Sequence, residues 1–431
     1  MPAQRTLLLR LYRFLTRVAG GFAYRHVAKK LRANDVPETR VAEKMGRPSL
    51  PRPNGRLIWF HAASVGESLS VLTLIRRLGE RDPDLNFLMT SGTATSAVIL
   101  AKRLPPQTQH QFAPLDTPAA VTAFYDHWQP DAGVFVESEI WPNLLLEGQV
   151  RGIPLALLNA RMSEASVRGW QKWPKTAQAV LGCFSVLIAQ NAQNQTNLIA
   201  MGAPQDRVRP GTNLKAMSAP LPVDQDALAD LQAALGARPH WVASSTHEGE
   251  EAIVLDAHMS LLKQHPDLCL ILIPRHPERG DTVADLISEA SLSHARRSRG
   301  EALSTNHNVY LADTLGETGT FYAASPIVFV AGSLKPIGGH NPFEPAQMGA
   351  ALITGPHRAN FAETYDALLQ TNAVADAADA PALAGVIDGW LTDPTALEQA
   401  RAAARAFVAG QDQALDRVVD TLDDALGLTH G

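Results

Sequence analysis

The sequence predicts an α/β protein of two doubly wound domains, each built on a mostly parallel sheet. Three observations predict it. Strand-length apolar runs alternate with helix-length segments in residues 50–212, and a second alternating series fills residues 229–431. Between them Pro210–Asp226, with three prolines and several small residues, reads as a linker, which sets the join at residues 213–228. The length of 431 residues exceeds what one core ordinarily serves. With 45% apolar and 19% charged residues, the composition is that of a globular chain and not a disordered one.

The chain opens on a basic arm. Residues 1–34 hold eight Lys/Arg and no acid, so the net charge of −5 divides into +8 there and −13 elsewhere. Leu7, Leu11, Phe14, Leu15 and Val18 recur at helical spacing, with Arg10, Arg13 and Arg17 as an opposite stripe. Arginines interrupt the apolar run, which argues against a signal peptide and falls short of the roughly 20 residues that span a bilayer. Two readings stand: an amphipathic helix in a membrane interface with its arginines towards anionic headgroups, or a helix docked on the protein itself.

In the first domain, strands are expected at Leu57–His61, Leu85–Thr90, Gly133–Val136 and Pro154–Leu158, with another strand–helix unit from Val186. Helices are expected at Glu67–Gly79, Ala94–Leu104 and Leu144–Val150. Ligands of such sheets bind beyond the carboxyl ends of the strands, where three features fall. His61–Ser68 carries Ser64-x-x-Glu67 around Gly66; Glu67 either closes a capping box or acts as a base at a helix N-terminus. Glu137-Ser138-Glu139 precedes Trp141-Pro142, its acids either capping and solvated or functional. Arg161 follows another strand, to hold an anion or pair with a surface acid.

The second series begins with a strand at Trp241–Ser245 and a helix at Glu248–Gln264. Ser245 and Thr246 offer hydroxyls at that helix start, for capping or for a phosphate. Arg275 and His276 follow the strand Leu268–Ile273; arginine suits a phosphate through its planar fork, or pairs with Glu278 or Glu250. After the strand Ile327–Ala331 comes the richest stretch, with Ser333, Gly338, Gly339, His340, Asn341 and Glu344. Asn341 as N-cap, Pro342 at the first helical position and Glu344 three residues on spell a helix start. A glycine loop before a helix offers free N–H groups to an anion, and Glu344 either caps or meets a sugar hydroxyl.

Several classes are excluded. No Walker loop and no G-x-G-x-x-G follows the first strand. The acid pairs Asp82/Asp84 and Asp224/Asp226 lack the further oxygen ligands a divalent ion needs, so no metal is expected. Two cysteines, Cys183 and Cys269, provide neither a metal spacing nor a disulfide framework. Basic-aromatic runs for nucleic acid are missing outside the arm.

The stretches HAASVGES, TSGTATSA, FVESEIWPNLL, NARMSE, ASSTHEGEE, IPRHPERG, GGHNPFEPA and GPHRANF, in this order, resemble the 3-deoxy-D-manno-octulosonic acid (Kdo) transferases. The resemblance runs from about residue 41 into the C-terminal helices. It implies a B-type glycosyltransferase fold, two Rossmann-like domains facing across a cleft, acceptor domain first and nucleotide domain second. The implied reaction moves Kdo from CMP-Kdo to a lipid A precursor of the lipid IVA type by a single inverting displacement, without cofactor or nucleic acid. The implied place is the cytoplasmic leaflet of a bacterial inner membrane, reached through residues 1–34. By the same resemblance Glu67 is the candidate base, with Glu137 and Glu139 as further catalytic acids and Ser64, Gly66 and Arg161 on the acceptor side. Ser245, Thr246, Arg275, His276, Ser333, Gly338, Gly339, His340, Asn341 and Glu344 fall to the donor. The hinge departs from the family pattern: Gly211-Thr212-Asn213-Leu214-Lys215-Ala216-Met217 swaps Gly and Thr and lacks Phe-Asp, which puts a role for Lys215 in doubt. The alternatives are another nucleotide-sugar transferase at a membrane, or a tethered CMP-sugar-binding protein without transfer.

Overall fold

The computed structural model describes residues 6–214 and 221–428; of the altered hinge, Lys215, Ala216 and Met217 lie outside them. The chain divides into two compact units. Unit 1 holds a seven-stranded sheet of β1 (Leu57–His61), β2 (Asn86–Ser91), β3 (Thr108–Phe112), β4 (Ala132–Val136), β5 (Leu155–Ala160), β6 (Val186–Ala189) and β7 (Val208–Pro210). Its order is β3-β2-β1-β4-β5-β6-β7, and every pairing is parallel. Unit 2 repeats the plan with β8 (His240–Thr246), β9 (Cys269–Pro274), β10 (His294–Arg296), β11 (Val309–Leu311), β12 (Ile327–Val330), β13 (Ala351–Thr354) and β14 (Val374–Asp376). Their order is β10-β11-β9-β8-β12-β13-β14, again all parallel.

The central strands are continuous apolar runs because helices cover both faces of a parallel sheet. Leu57–Phe60, Val134–Val136 and Leu155–Leu158 are fully buried, as are Val242, Ala243 and Leu270–Leu272. In each unit the chain starts on a middle strand, winds one way, then crosses back. The reversal falls between β1 and β4 in unit 1 and between β8 and β12 in unit 2. Such switch points open a crevice at the strands' carboxyl ends.

Four strands escape a reading by apolar runs. β3 is the polar Thr-Gln-His-Gln-Phe; β7, β10 and β14 are three residues each and lie at sheet edges or beside them. The expected helix from Glu67 is two helices, Val65–Ser70 and Leu72–Arg81, broken at Val71. The helix expected at Glu248 begins at Glu250 behind Gly249, whose φ of 84° suits glycine. The linker is shorter than expected, since Asp224 caps a helix starting at Gln225. Assigning all the C-terminal helices to the second domain also needs correction. The helix Pro394–Leu426 buries Ala404 in the core of unit 2, but Leu415, Val418, Val419, Leu422 and Leu426 in the core of unit 1. Helical periodicity shows that an apolar stripe is buried, not against which sheet.

The basic arm is the helix Leu7–Arg32. It packs on unit 1 through Leu9, Tyr12, Thr16, Gly20, Ala28 and Leu31. Gly20 lies so close to Thr117 that a Cβ would sit 3.0 Å from its methyl group. Leu7, Leu11, Phe14, Leu15, Val18 and Phe22 remain 50–83% exposed. The docked reading thus describes one face of this helix, and the apolar residues named in the other reading are exposed on another. Among the described residues no helix is long and apolar enough to cross a membrane.

Candidate active site

At the switch point of unit 1, β1 delivers His61 and the turn Ala62–Ser64. The Ser64 side chain accepts from Glu67 N–H, while Glu67 Oε1 accepts from the Ser64 hydroxyl at 2.9 Å and Oε2 from Ala63 N–H at 2.9 Å. Glu67 therefore does cap its helix. It stays half-buried, and a carboxylate with two local donors keeps lone pairs for a proton. Gly66, in the same first turn, is exposed.

Across the switch point, β4 is followed by Glu137, a non-glycine residue at φ 57°. Asn159, in β5, sits at φ 54°, beside a register shift between Leu157 and Ala160. Left-handed backbone of this kind costs of order 1–3 kcal/mol and gathers at functional sites. Glu137 is buried and its Oε1 lies 3.4 Å from Asn159 Nδ2, while Asn159 Oδ1 accepts from Leu214 N–H. Glu139 instead meets His61: His61 Nε2 stands 3.3 Å from Glu139 Oε2, short of regular hydrogen-bond alignment. The Trp141 indole N–H donates to the same oxygen. Burial would raise the Glu139 carboxyl, but His61 and Trp141 outweigh it and hold it below the usual carboxylate range. His61 Nδ1 lies 3.0 Å from the Thr90 hydroxyl. Arg161, after β5, is exposed, with no ion-pair or hydrogen-bond partner for its guanidinium among the described residues.

The loop carrying Glu139 is anchored from below. Buried Asp116 accepts from Asn143 N–H at 3.1 Å and Leu144 N–H at 2.8 Å, at the start of the helix Pro142–Val150. Tyr12, on the arm, donates its hydroxyl to Asp116 at 2.8 Å. Burial pushes the Asp116 carboxyl up against these donors. Neither Tyr12 nor Asp116 stood out in the sequence, because only the docked arm brings them together.

In unit 2 the switch point is built on a second acid. Glu250 is fully buried; Oε2 accepts from His247 N–H (3.0 Å) and Gly332 N–H (2.8 Å), and Oε1 from Ser333 N–H (3.0 Å) and Leu334 N–H (2.9 Å). This corrects the expectation of a glycine loop with free amides: its first three N–H groups already hold a carboxylate. Ser333 is fully buried too, its hydroxyl donating to Val330 C=O and accepting from Gly355 N–H, so it shapes the loop and does not face a ligand. Gly338 and Gly339, buried at φ 109° and 76°, fold the loop onto residues 357–360. The helix start also differs. The helix is Phe343–Gln347, and Asn341 caps it from one residue further out, accepting from Phe343 N–H at 3.1 Å. Asn341 Nδ2 lies 3.4 Å from Glu344 Oε1.

Ser245, at φ 60° beside a register shift between Ser244 and Thr246, turns the end of β8. Thr246 is buried, and its hydroxyl has no hydrogen-bond partner among the described residues. His247 stacks on His340 with rings 5.1 Å apart and 3° from parallel, and their Nε2 atoms are 2.8 Å apart. At that distance one nitrogen donates and the other accepts, so at least one ring is neutral. Burial, reinforced by His247, Arg275 and His276, lowers His340 to about 4. His247 is lowered as well, chiefly by burial. His276 packs edge-on to His247 and contacts Glu278 at 3.4 Å. Arg275 is exposed, and its guanidinium has no acid partner among the described residues: Glu278 meets His276, and Glu250 is taken by amides. Tyr322, near Glu344, bonds Ser244 at 2.7 Å. Both acid pairs in the sequence serve local turns, Asp82 accepting from Asp84 N–H and Asp224 from Asp226 N–H.

A family described as 3-deoxy-D-manno-octulosonic-acid transferase (kdotransferase) matches residues 39–218. A probable mitochondrial 3-deoxy-D-manno-octulosonic acid transferase of Arabidopsis thaliana is 36% identical over 90% of this chain and 89% of its own. The chain belongs to the 3-deoxy-D-manno-octulosonic acid transferase family. The Haemophilus influenzae member is 33% identical over 89% of this chain and 90% of its own. A glycosyltransferase from Rickettsia africae has the same fold, with a TM-score of 0.55 at 13% identity, covering 87% of this chain and 99% of its own. The Kdo transferase is thus a glycosyltransferase on the B-type fold, as the ordered motifs imply.

Proposed function

We propose that this Kdo transferase takes Kdo from CMP-Kdo and places it on a lipid A precursor by one inverting displacement. The observation that carries the donor reading is Arg275, an exposed guanidinium with no acid partner among the described residues, beside His247 and His340 at the unit 2 switch point. One fixed cation with neutral imidazoles as hydrogen-bonding neighbours suits the single phosphate of a CMP leaving group. Asn341 and Glu344 supply hydrogen-bonding groups for the ribose at the same strand ends. Glu67 of unit 1 is the base. As the acceptor oxygen bonds to the anomeric carbon, the bond from that carbon to the phosphate oxygen breaks. CMP leaves with the bonding pair, and the hydroxyl proton passes to Glu67. Glu139 holds His61 in place, and Arg161 offers its guanidinium to an anionic group of the acceptor.

The exposed apolar face of the arm points to work at a membrane surface, and we assign it to the cytoplasmic face of the inner membrane. The test is mass spectrometry of a lipid A precursor incubated with fresh CMP-Kdo, alongside thermal shifts with CMP, UDP and ADP. Kdo mass added to the precursor, and stabilisation by CMP alone, is the expected result. A shift with UDP or ADP but not CMP would assign another nucleotide sugar. CMP binding without product would make the protein a tethered binder.

A further inference from the structure

The arm has three faces, not two. At about 100° per residue, Tyr12, Thr16, Leu9 and Gly20 fall in one arc, which is docked on unit 1. Leu7, Leu11, Phe14, Leu15, Val18 and Phe22 fall in another, which is exposed. Arg10, Arg13 and Arg17 occupy roughly 60° between them, on the boundary where the helix leaves the protein surface. There they line a groove of about 640 Å3 against the helix Pro118–Trp128, floored by Pro118, Ala119 and Ala123, with Phe14 at its edge. Among the described residues none of these three guanidinium groups has an ion-pair or hydrogen-bond partner. The acid of the groove, Asp126, is paired with Arg151 at 2.6 Å. Three uncompensated guanidiniums thus converge over apolar walls.

We propose that this groove is a binding site for the phosphate headgroup of an anionic membrane lipid. The inference rests on the membrane reading above and deepens it. Three planar donors on one arc match phosphate oxygens, which arginine binds through paired N–H groups. With the neighbouring apolar face sunk among acyl chains, the arginines lie at headgroup depth and the groove opens towards the same level. A lipid held there has its phosphate against Arg10, Arg13 and Arg17 and its chains along Phe14 and Leu11. It also fixes the rotation of the helix about its own axis, and with it the height of unit 1 above the membrane.

The test is vesicle co-sedimentation of the full chain against phosphatidylcholine alone and against phosphatidylcholine doped to equal surface charge with phosphatidic acid or with oleate. Wild type is expected to prefer phosphatidic acid vesicles over neutral ones by on the order of a hundredfold, and over the carboxylate vesicles as well. Replacing all three residues (Arg10→Gln, Arg13→Gln, Arg17→Gln) should erase both preferences and leave residual binding to neutral vesicles. Undiminished preference in that variant, or equal binding to oleate and phosphatidic acid vesicles, would overturn the site while leaving the membrane reading intact. Inorganic phosphate that protects the groove from arginine-directed modification as well as the lipid does would assign it to a free anion instead. No sedimentation with any vesicle would sink the membrane reading itself.

Discussion

The two switch points use one device to opposite ends. Each has an acid three residues after the turn that leaves the first strand, Glu67 after Ser64 and Glu250 after His247. Each carboxylate turns back to a backbone N–H of that turn, Ala63 in unit 1 and His247 in unit 2. There the likeness stops. Glu67 has only local partners and remains half-buried, whereas Glu250 reaches across to the strand at the other side of its switch point and takes three amides of the 332–334 loop. An anion so buried and so fully bonded is a clamp; an anion with spare lone pairs near the surface is free for chemistry. The spacing is common to both. Solvent access and the number of donors separate them.

That contrast is broken most directly by paired substitutions. Glu67→Gln preserves most of the capping geometry, and we expect kcat to fall by about a hundred- to ten-thousand-fold with CMP binding and melting temperature little changed. Near-normal turnover would remove Glu67 from the chemistry. Glu250→Gln should do the reverse, since an amide NH2 in place of one oxygen faces N–H donors. A loss of about 3 kcal/mol or more in chemical unfolding is expected, along with weaker CMP binding as the loop loosens. If calorimetry instead finds Glu67→Gln the more destabilised of the two, the assignment of clamp and base is inverted.

Smaller effects sharpen the picture. Arg275→Ala should weaken CMP binding by about ten- to a hundredfold, as expected for a charge-assisted hydrogen bond worth about 1.5–3 kcal/mol, while leaving cytidine binding nearly intact. Equal losses for both ligands, measured by titration calorimetry, would move Arg275 off the phosphate. Acid should unfold the protein through its buried imidazoles. His110 in unit 1 is lowered to about 3, with burial the largest cause, then Arg40 and Lys44. In unit 2 His258 and His340 are each lowered to about 4, again chiefly by burial. The unfolded chain binds protons at these sites first, so their stabilisation is complete above about pH 6.5 and is lost as pH falls towards 4 and below. The slope is about 1.4 kcal/mol per pH unit for each proton taken up. Urea midpoints across that range should fall for wild type and less steeply for His258→Asn; an unchanged slope would show that His258 does not contribute. Tyr12→Phe should cost about 1 kcal/mol, the worth of its bond to Asp116, read as a lower thermal midpoint. No change would show that Asn143 and Leu144 suffice to hold that carboxylate.

Most of the central architecture was legible from residues 57–61, 133–136, 268–273 and 327–331, because a strand buried on both faces must be apolar throughout. The Ser64-x-x-Glu67 cap was legible too, since it closes within one turn. What could not be read was any contact made between segments far apart in the chain. In the sequence Glu250 stands only as a possible partner for Arg275, yet in the fold it fills amides of the glycine loop that were expected to be open. His340 became a partner of His247 only when β12 lay beside β8, and Tyr12 met Asp116 only when the arm docked. The last turns of the C-terminal helix went to unit 1 although the sequence placed them with unit 2. Local sequence thus determined the strands, the turns and the chemistry of each candidate side chain, because those depend on neighbours within a few residues. Only the tertiary structure decided which carboxylate is buried under amides, which stays half-buried and which arginines have no acid among the described residues. Burial and pairing are set by whatever else the fold brings to the same place.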